Sequence, residues 1–352
     1  MNVTARDTSP IRCAVVGFGT AGRFFHTPFL AADPAYDLRV IVTGDPDRAA
    51  AARAAHPGAT VVSDPQAVID HASELDLVVV ATPPSTHVEL AANAMRAGLD
   101  VVVDKPFAPT GAEGRKLIAL AAELGRRLTV FQNRRWDADF LTLRRLLADG
   151  RLGTVHAFES RFEWWRPDGL QGWKGDTDVA DGGGILFDLG THLIDQALRL
   201  FGPVAEVLAE VNRRDSRAGR DADDDTVVIL RHASGTSSRL TMSSVAALPG
   251  PRYRVLGSRA GYVKDGLDGQ EAALKAGMSP ADPAFGREPE ECWGRLGDHS
   301  ETTPVEPERG NYAEFYRLLA TALRNGGELP VDPHDAVDVL DVIERAHACS
   351  KK

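Results

Sequence analysis

Apolar runs recur along the first third of the chain, each closed by a small or turn-forming residue. Cys13–Val16, Leu38–Val42, Thr60–Val62, Leu75–Ala81, Asp100–Val103 and Leu128–Phe131 predict six strands. Apart from Arg39, Asp76, Thr129 and the two end residues Thr60 and Asp100 they are apolar, as parallel strands covered on both faces largely are. Amphipathic stretches separate them. Thr20–Ala32 reads as a helix, Ser85 as the cap of a helix to Ala97, and Thr110–Gly125 as a helix whose Thr110 and Glu113 have capping-box spacing. Alternation of this kind predicts a doubly wound parallel sheet ending near Gln132.

The pattern then changes. Trp136–Ala148 is an amphipathic helix. Across Thr154–Trp164, Phe158, Phe162 and Trp164 share one face and Glu159, Arg161 and Glu163 the other. Period two over this length marks a strand with one buried face, usual in antiparallel sheets. Val204–Asn212, Thr226–Arg231, Ser238–Val245 and Tyr253–Leu256 are further strands. Ile185–Phe201 is a helix with Leu186, Leu189, Leu193, Ala197 and Leu200 as its core stripe. Residues 265–310, rich in Gly, Pro and Glu, read as an irregular excursion, and 311–324 and 333–348 as closing helices. The expected fold is α/β: a dinucleotide-type domain over 1–132, then an α+β domain over 133–352 whose last helices are free to pack back on the first.

Composition sharpens this only in places. A chain of 352 residues suits two domains at roughly 150 residues each. Hydrophobic residues at 43% and charged residues at 26% are ordinary for a globular protein. A formal net charge of -10 argues against nucleic acid or an anionic membrane as partner. No apolar run approaches the ~20 residues that span a bilayer. The opening MNVTARDTSP lacks an apolar core and reads as a short disordered lead rather than a signal peptide. Cys13, Cys292 and Cys349 offer neither a disulfide framework nor metal-ligand spacing, so a reducing cytoplasm fits and no metal is expected.

The chemistry begins at GFGTAG. Gly17, Gly19 and Gly22 are spaced G-x-G-x-x-G between a predicted strand and a helix, the context in which that motif binds a dinucleotide. Gly17 permits the tight turn, Gly19 close approach of a pyrophosphate, and Gly22 close packing of the helix. Phe18, Thr20 and Ala21 fill the loop, and the helix start offers free N–H groups to phosphate. The second predicted strand ends in Thr43-Gly44-Asp45. A carboxylate there favours the ribose 2′-hydroxyl of NAD, and a nearby arginine the 2′-phosphate of NADP. With Thr43 and Gly44 at the corner and Arg48 close behind, the balance is toward NADP. The competing reading makes Asp45 a helix cap and Arg48 a solvated helix residue.

Thr82 and Pro83 end the fourth strand, and His87 stands in the next helix as a cofactor contact or an exposed histidine. Lys105 follows the fifth strand, where a lysine projects into the ligand crevice. A polar loop from Trp165 to Asp181 holds Arg166, Trp173 and Lys174 and runs into Gly182-Gly183-Gly184, which permits a close approach to ligand. Asp188 and His192 lie four apart. They form half a metal site without an evident third ligand, a surface ion pair, or an acid–base unit; the glycine-rich approach favours the last.

GFGTAG, ATPPSTH, DKPFA and GGGILFDLGTHLID, in this order, resemble the Gfo/Idh/MocA oxidoreductase family across essentially the whole chain. The resemblance implies an N-terminal Rossmann domain bound to NAD(P) and a C-terminal α+β domain. The latter would have an open, mostly antiparallel sheet that binds substrate and makes a homodimer or homotetramer. It matches Lys105 to the family's E-K-P lysine and Asp188/His192 to its D-x-x-x-H pair, with Asp104 where glutamate is usual. FHTPFL, FQNRRWDADFLTLRRLL, WWRPDG and DLGTHLIDQAL look like the branch holding NADP-dependent scyllo-inositol dehydrogenase, although the Trp164-Trp165 pair departs from it. The implied reaction is hydride transfer between nicotinamide and a secondary alcohol of a cyclitol or sugar. Lys105, Asp188 and His192 would act on the alcohol, and Asn133, Arg134, Trp136, Arg166 and Trp173 would line its pocket. Whether Lys105 or His192 is the formal base stays open. The alternatives are an NAD-dependent enzyme for another sugar or small carbonyl compound, and a nucleotide-sensing regulator without chemistry. The regulator would tolerate loss of Lys105, Asp188 and His192, and all three are present.

Overall fold

Valine-rich runs buried on both faces pair side by side in the first sheet. The computed structural model describes residues 9–169, 177–214 and 221–350. Strands β1 (Ile11–Val16), β2 (Tyr36–Val42), β3 (Thr60–Val62), β4 (Leu77–Val80), β5 (Asp100–Asp104) and β6 (Leu128–Phe131) form a sheet in the order β3-β2-β1-β4-β5-β6. All its pairings are parallel. The order reverses between β1 and β4, and a ligand crevice opens at the carboxyl ends of strands at such a point. Asp76, the polar position expected within a strand, stands just before β4, where its carboxylate meets Arg12 at 2.6 Å.

Two helices depart from simple expectation. The chain after the glycine turn winds with wide π turns over Ala21–His26 before a regular helix, Thr27–Ala32. Leu186–Gly190 does the same ahead of the helix Thr191–Phe201. Wide turns of this sort insert a residue and re-aim side chains, often at functional sites. Thr110 caps the helix Gly111–Glu123 by accepting from the Glu113 N–H at 3.2 Å. Ser85 does not cap the helix His87–Arg96. A single turn, Pro84–Thr86, comes first, and the Thr86 hydroxyl lies 2.7 Å from Thr82 Oγ1 and donates to the Pro83 carbonyl.

The chain divides into two compact units. One takes the chain up to Asn133 with Gln270–Phe285 and Tyr312–Val337; the other takes Arg134–Gly269, Gly286–Asn311 and the chain from Asp338 onward. The six-strand unit is thus closed by late segments. The Tyr316 hydroxyl lies 2.6 Å from His26 Nδ1, and its carbonyl accepts from the Tyr36 hydroxyl at 2.6 Å. Thr129 donates to the Val331 carbonyl at 2.7 Å.

The second unit holds a mixed sheet of β7 (Val155–Glu163), β8 (Val204–Asn212), β9 (Asp225–His232), β10 (Ser237–Ser243), β11 (Tyr253–Gly257), β12 (Gly261–Lys264), β13 (Gly294–Gly297) and β14 (Thr302–Val305). Its order is β14-β13-β12-β11-β7-β10-β9-β8, antiparallel except between β7 and β10. Phe158 and Phe162 are buried as the alternation predicts, and Glu159 on the opposite face meets Arg161 and Arg254 at 2.6 Å each. Residues 265–310 are more ordered than expected, since they contain β13, β14 and the helix Gln270–Lys275. These strands have four residues each and carry Gly294, Gly297 and Pro304, so they lack the alternation that reveals a longer strand.

Candidate active site

The glycine turn is built around its own backbone. Gly17 has φ +103, and a Cβ there would lie 2.4 Å from the Ala81 carbonyl oxygen. A Cβ on Gly22 would lie 1.9 Å from the Gly17 carbonyl oxygen, so the following helix presses directly on the turn. Gly19 differs: a Cβ there would face open space, with the Arg48 guanidinium at 3.8 Å. The loop therefore has two glycines demanded by the chain and one that leaves a cradle open, and this fits a pyrophosphate. Phe18 turns inward, fully buried with Ile41 and Ala52, so only its backbone faces the cradle. Thr20 is exposed and Ala21 half-buried.

At the end of β2, Thr43 is buried and its N–H bonds the Val62 carbonyl at 2.9 Å. Asp45 caps the helix Pro46–Ala55, with Oδ1 accepting from the Arg48 N–H at 2.9 Å. Arg48 Nε lies 3.7 Å from the other carboxylate oxygen. The cap reading of Asp45 thus holds, while Arg48 reaches back over the glycine turn.

Beside these lie the ends of β4 and β5. Thr82 is half-buried and Pro83 exposed. His87 is neither an exposed helix residue nor a group open to a cofactor. It is fully buried, with Nε2 2.8 Å from the Thr82 carbonyl oxygen and Nδ1 2.9 Å from that of Pro106. The ring ties together the chain leaving β4 and the chain leaving β5, where Lys105 stands half-buried. Burial lowers the pKa of His87, opposed by the two carbonyls. The Asp104 carboxylate accepts from the Lys105 N–H at 2.8 Å and lies 3.9 Å from Nε2 of buried His26, which burial pulls down to about 3.

In the second unit, Asp188 and His192 are buried on the wide-turned segment and its helix. The glycines before them approach the chain itself rather than leaving room for a ligand. A Cβ on Gly183 would lie 1.9 Å from the Thr177 carbonyl oxygen, and one on Gly184 would lie 2.0 Å from Asp223 Oδ1. Downstream the helix is held by charge. Arg135 Nε donates to Asp195 at 2.8 Å, and Gln196 donates to the Arg134 carbonyl at 3.0 Å while accepting from Arg252 at 2.9 Å. Arg252 is itself buried against Asp139 at 3.2 Å.

Of the residues expected to line a pocket, Asn133, Arg134 and Trp136 are all buried. Arg134 pairs with Asp137 at 3.2 Å and lies 4.7 Å over the Phe162 ring. Arg166 is exposed, its guanidinium 4.2 Å over Trp164. Trp173 and Lys174 lie outside the described residues, as does the opening stretch 1–8. Lys105 belongs to the first unit and the Asp188/His192 pair to the second. Sequence reasoning passed over Asp223, Arg252 and His26. Asp223 sits in the run DADDDT, which reads as solvated acid; Arg252 carries no motif, and His26 stands in FHTPFL without a role being assigned to it.

Comparison with known proteins decides the family. Residues 11–132 match the model of an oxidoreductase family with an NAD-binding Rossmann fold, and residues 140–263 match the GFO/IDH/MocA C-terminal domain. The chain is a Gfo/Idh/MocA oxidoreductase. This oxidoreductase is 40% identical to the uncharacterised Escherichia coli (strain K12) oxidoreductase YdgJ, over 95% of this chain and 94% of that one. It is 33% identical to the scyllo-inositol 2-dehydrogenase (NADP(+)) IolW of Bacillus subtilis (strain 168), over 99% and 96%. The solved structure of the Bacillus subtilis oxidoreductase yvaA superposes with a TM-score of 0.90 at 32% identity, covering 99% and 98%. The Rossmann unit of the Gfo/Idh/MocA oxidoreductase is accordingly its NAD(P)-binding part. No described helix is long and apolar enough to cross a membrane.

Proposed function

We propose that this oxidoreductase is an NADP-dependent dehydrogenase of a cyclitol or sugar secondary alcohol, with a scyllo-inositol-type polyol as the leading substrate. The observation that carries the reading is the pairing of roles at the end of β2. Asp45 is committed to capping its helix, whereas the Arg48 guanidinium stands 3.8 Å from the Cβ position of Gly19, over the phosphate cradle. An arginine so placed suits a 2′-phosphate. The relative at 33% identity that uses NADP on scyllo-inositol supports both halves.

A nicotinamide held by the Rossmann unit would supply the hydride acceptor for the carbinol carbon. His192 takes the hydroxyl proton. Lys105 donates a hydrogen bond to the same oxygen and stabilises its developing negative charge. Asp188 orients His192. The outer face of the second sheet, with Leu208 42% and Val263 38% exposed and Ile229 directly across from Leu208, meets a second copy of the chain. Leu208→Glu would leave a monomer by light scattering; an unchanged assembly refutes that contact.

The test follows nicotinamide absorbance with purified protein, NADP or NAD, and scyllo-inositol, myo-inositol and common aldoses. Inositol oxidation with NADP supports the reading. Turnover with NAD alone replaces it with an NAD-dependent dehydrogenase. Lys105→Met is expected to abolish turnover while NADP still binds, and retained turnover removes Lys105 from the chemistry.

A further inference from the structure

One buried carboxylate has no part in the reaction as derived. Asp223 is 2% exposed and sits beside the segment that carries Asp188 and His192. Its Oδ2 accepts from the Leu186 N–H at 3.0 Å and from the Thr226 hydroxyl at 2.5 Å, and its own carbonyl accepts from the Ile185 N–H at 2.8 Å. Asp188 N–H then bonds the Gly184 carbonyl at 3.1 Å, so the winding that presents Asp188 begins at this anchor. Oδ1 has no hydrogen-bond partner among the described residues and occupies the space a Cβ on Gly184 would need. The glycine at 184 is therefore a requirement of Asp223.

We propose that Asp223 is a positioning residue: ionised, it anchors the start of the Leu186–Phe201 segment and sets where His192 stands. An anion facing free N–H groups at the start of a helical segment is favourably placed, and a charged acceptor bonds N–H and O–H more strongly than a neutral one. The charge is held at a cost. Burial raises the pKa of Asp223 to about 6, against the Thr226 hydroxyl, the Leu186 N–H and its own N–H, with Asp224 adding to the rise. Asp178, Asp181 and Asp221 nearby in the chain are exposed. The anchor thus weakens as pH falls through about 6. The role rests on the assignment of His192 made above.

The experiment uses the full chain, NADP and scyllo-inositol, and the Cε1 resonance of His192 in protein labelled at histidine Cε1, identified by its loss in His192→Asn. Asp223→Asn mimics the protonated anchor at every pH. It is expected to lower kcat about tenfold, since small misplacements of reacting groups are this expensive. The KM for NADP should stay within about twofold, because cofactor and anchor lie in different units. The acid limb of the kcat profile should flatten and the His192 resonance should move. In the His192→Asn background Asp223→Asn should cost nothing further. Thr226→Val keeps the carboxylate but removes a donor, so it moves the acid limb to higher pH, whereas a limb owned by His192 stays put. An unchanged kcat and an unmoved resonance in Asp223→Asn overturn the proposal. So does an unmoved limb in Thr226→Val should Asp223→Asn not fold. If scyllo-inositol is not turned over, the resonance decides alone. Full turnover by His192→Asn instead refutes the assignment of the base, a separate failure.

Discussion

Replacing Asp223 by asparagine makes a prediction about stability that runs against the usual cost of altering a buried polar residue. The folded state raises this carboxyl from 3.8 to about 6. At ~1.4 kcal/mol per pH unit the difference amounts to about 3 kcal/mol. The folded value is the higher one, so the fold prefers the protonated form. That preference stabilises the protein fully below about pH 3.8 and is lost as pH rises through about 6. Between pH 4.5 and pH 8 the wild type should lose about 2 kcal/mol from this group, and the variant, which does not titrate, should lose none of it. The asparagine has its own cost, an amide nitrogen placed where Oδ1 has no partner, but that cost is the same at both pH values. Thermal melts of both proteins at pH 4.5 and pH 8 isolate the effect. The melting temperature of the variant relative to wild type should climb with pH by roughly 4–8 °C. A difference that is constant, or that falls with pH, refutes the argument that burial opposes the charge. A variant that gains relative stability at pH 8 while losing turnover there also separates positioning from simple structural support.

Three other changes have calculable outcomes. Gly22→Ala places a methyl 1.9 Å from the Gly17 carbonyl oxygen, so the turn must open; fluorescence titration should show NADP binding weakened at least about tenfold. Arg48→Ala should weaken NADP by about 10-fold to 100-fold in KM and leave NAD within about twofold, as loss of one charge-assisted phosphate contact does. Arg252→Met strands the buried Asp139 carboxylate, 3.2 Å from the guanidinium it loses. It should cost about 3–5 kcal/mol in urea unfolding, while Arg252→Met with Asp139→Leu should recover most of that.

The nucleotide unit was readable because its strands are largely apolar runs, interrupted at few positions such as Arg39 and Thr129, and its glycines serve the backbone. A Cβ at Gly17 or Gly22 would lie 2.4 or 1.9 Å from a carbonyl oxygen, closer than any other residue type tolerates. Such local constraints leave a mark in sequence. The polar framework around His192 leaves none, because its members come from distant positions: Arg135 meets Asp195, and Arg252 meets Asp139 and Gln196. His87 shows the same limit. Its motif identified it, but only the fold reveals that both nitrogens are taken by main-chain carbonyls from either side of a helix turn and a strand end. Asp45 and Arg48 were ambiguous for another reason. One carboxylate three residues before an arginine satisfies both a helix cap and a ribose contact, and geometry alone assigns it to the cap.

The sheet that binds the dinucleotide waits on residues near the other end of the chain. Tyr316 fills the space between His26, Phe29 and Tyr36, and Val331 takes the hydroxyl of Thr129. On the ribosome, domains made first usually fold first, yet here the strands synthesised earliest cannot close their core until residues 312–337 have emerged. A nascent or truncated product lacking that stretch leaves Phe29, Tyr36 and Phe131 exposed together, an aromatic surface for chaperones to hold. Translation order and folding order are therefore uncoupled in this protein. A stop codon ahead of Tyr312 would cost the cofactor site near the other end of the message.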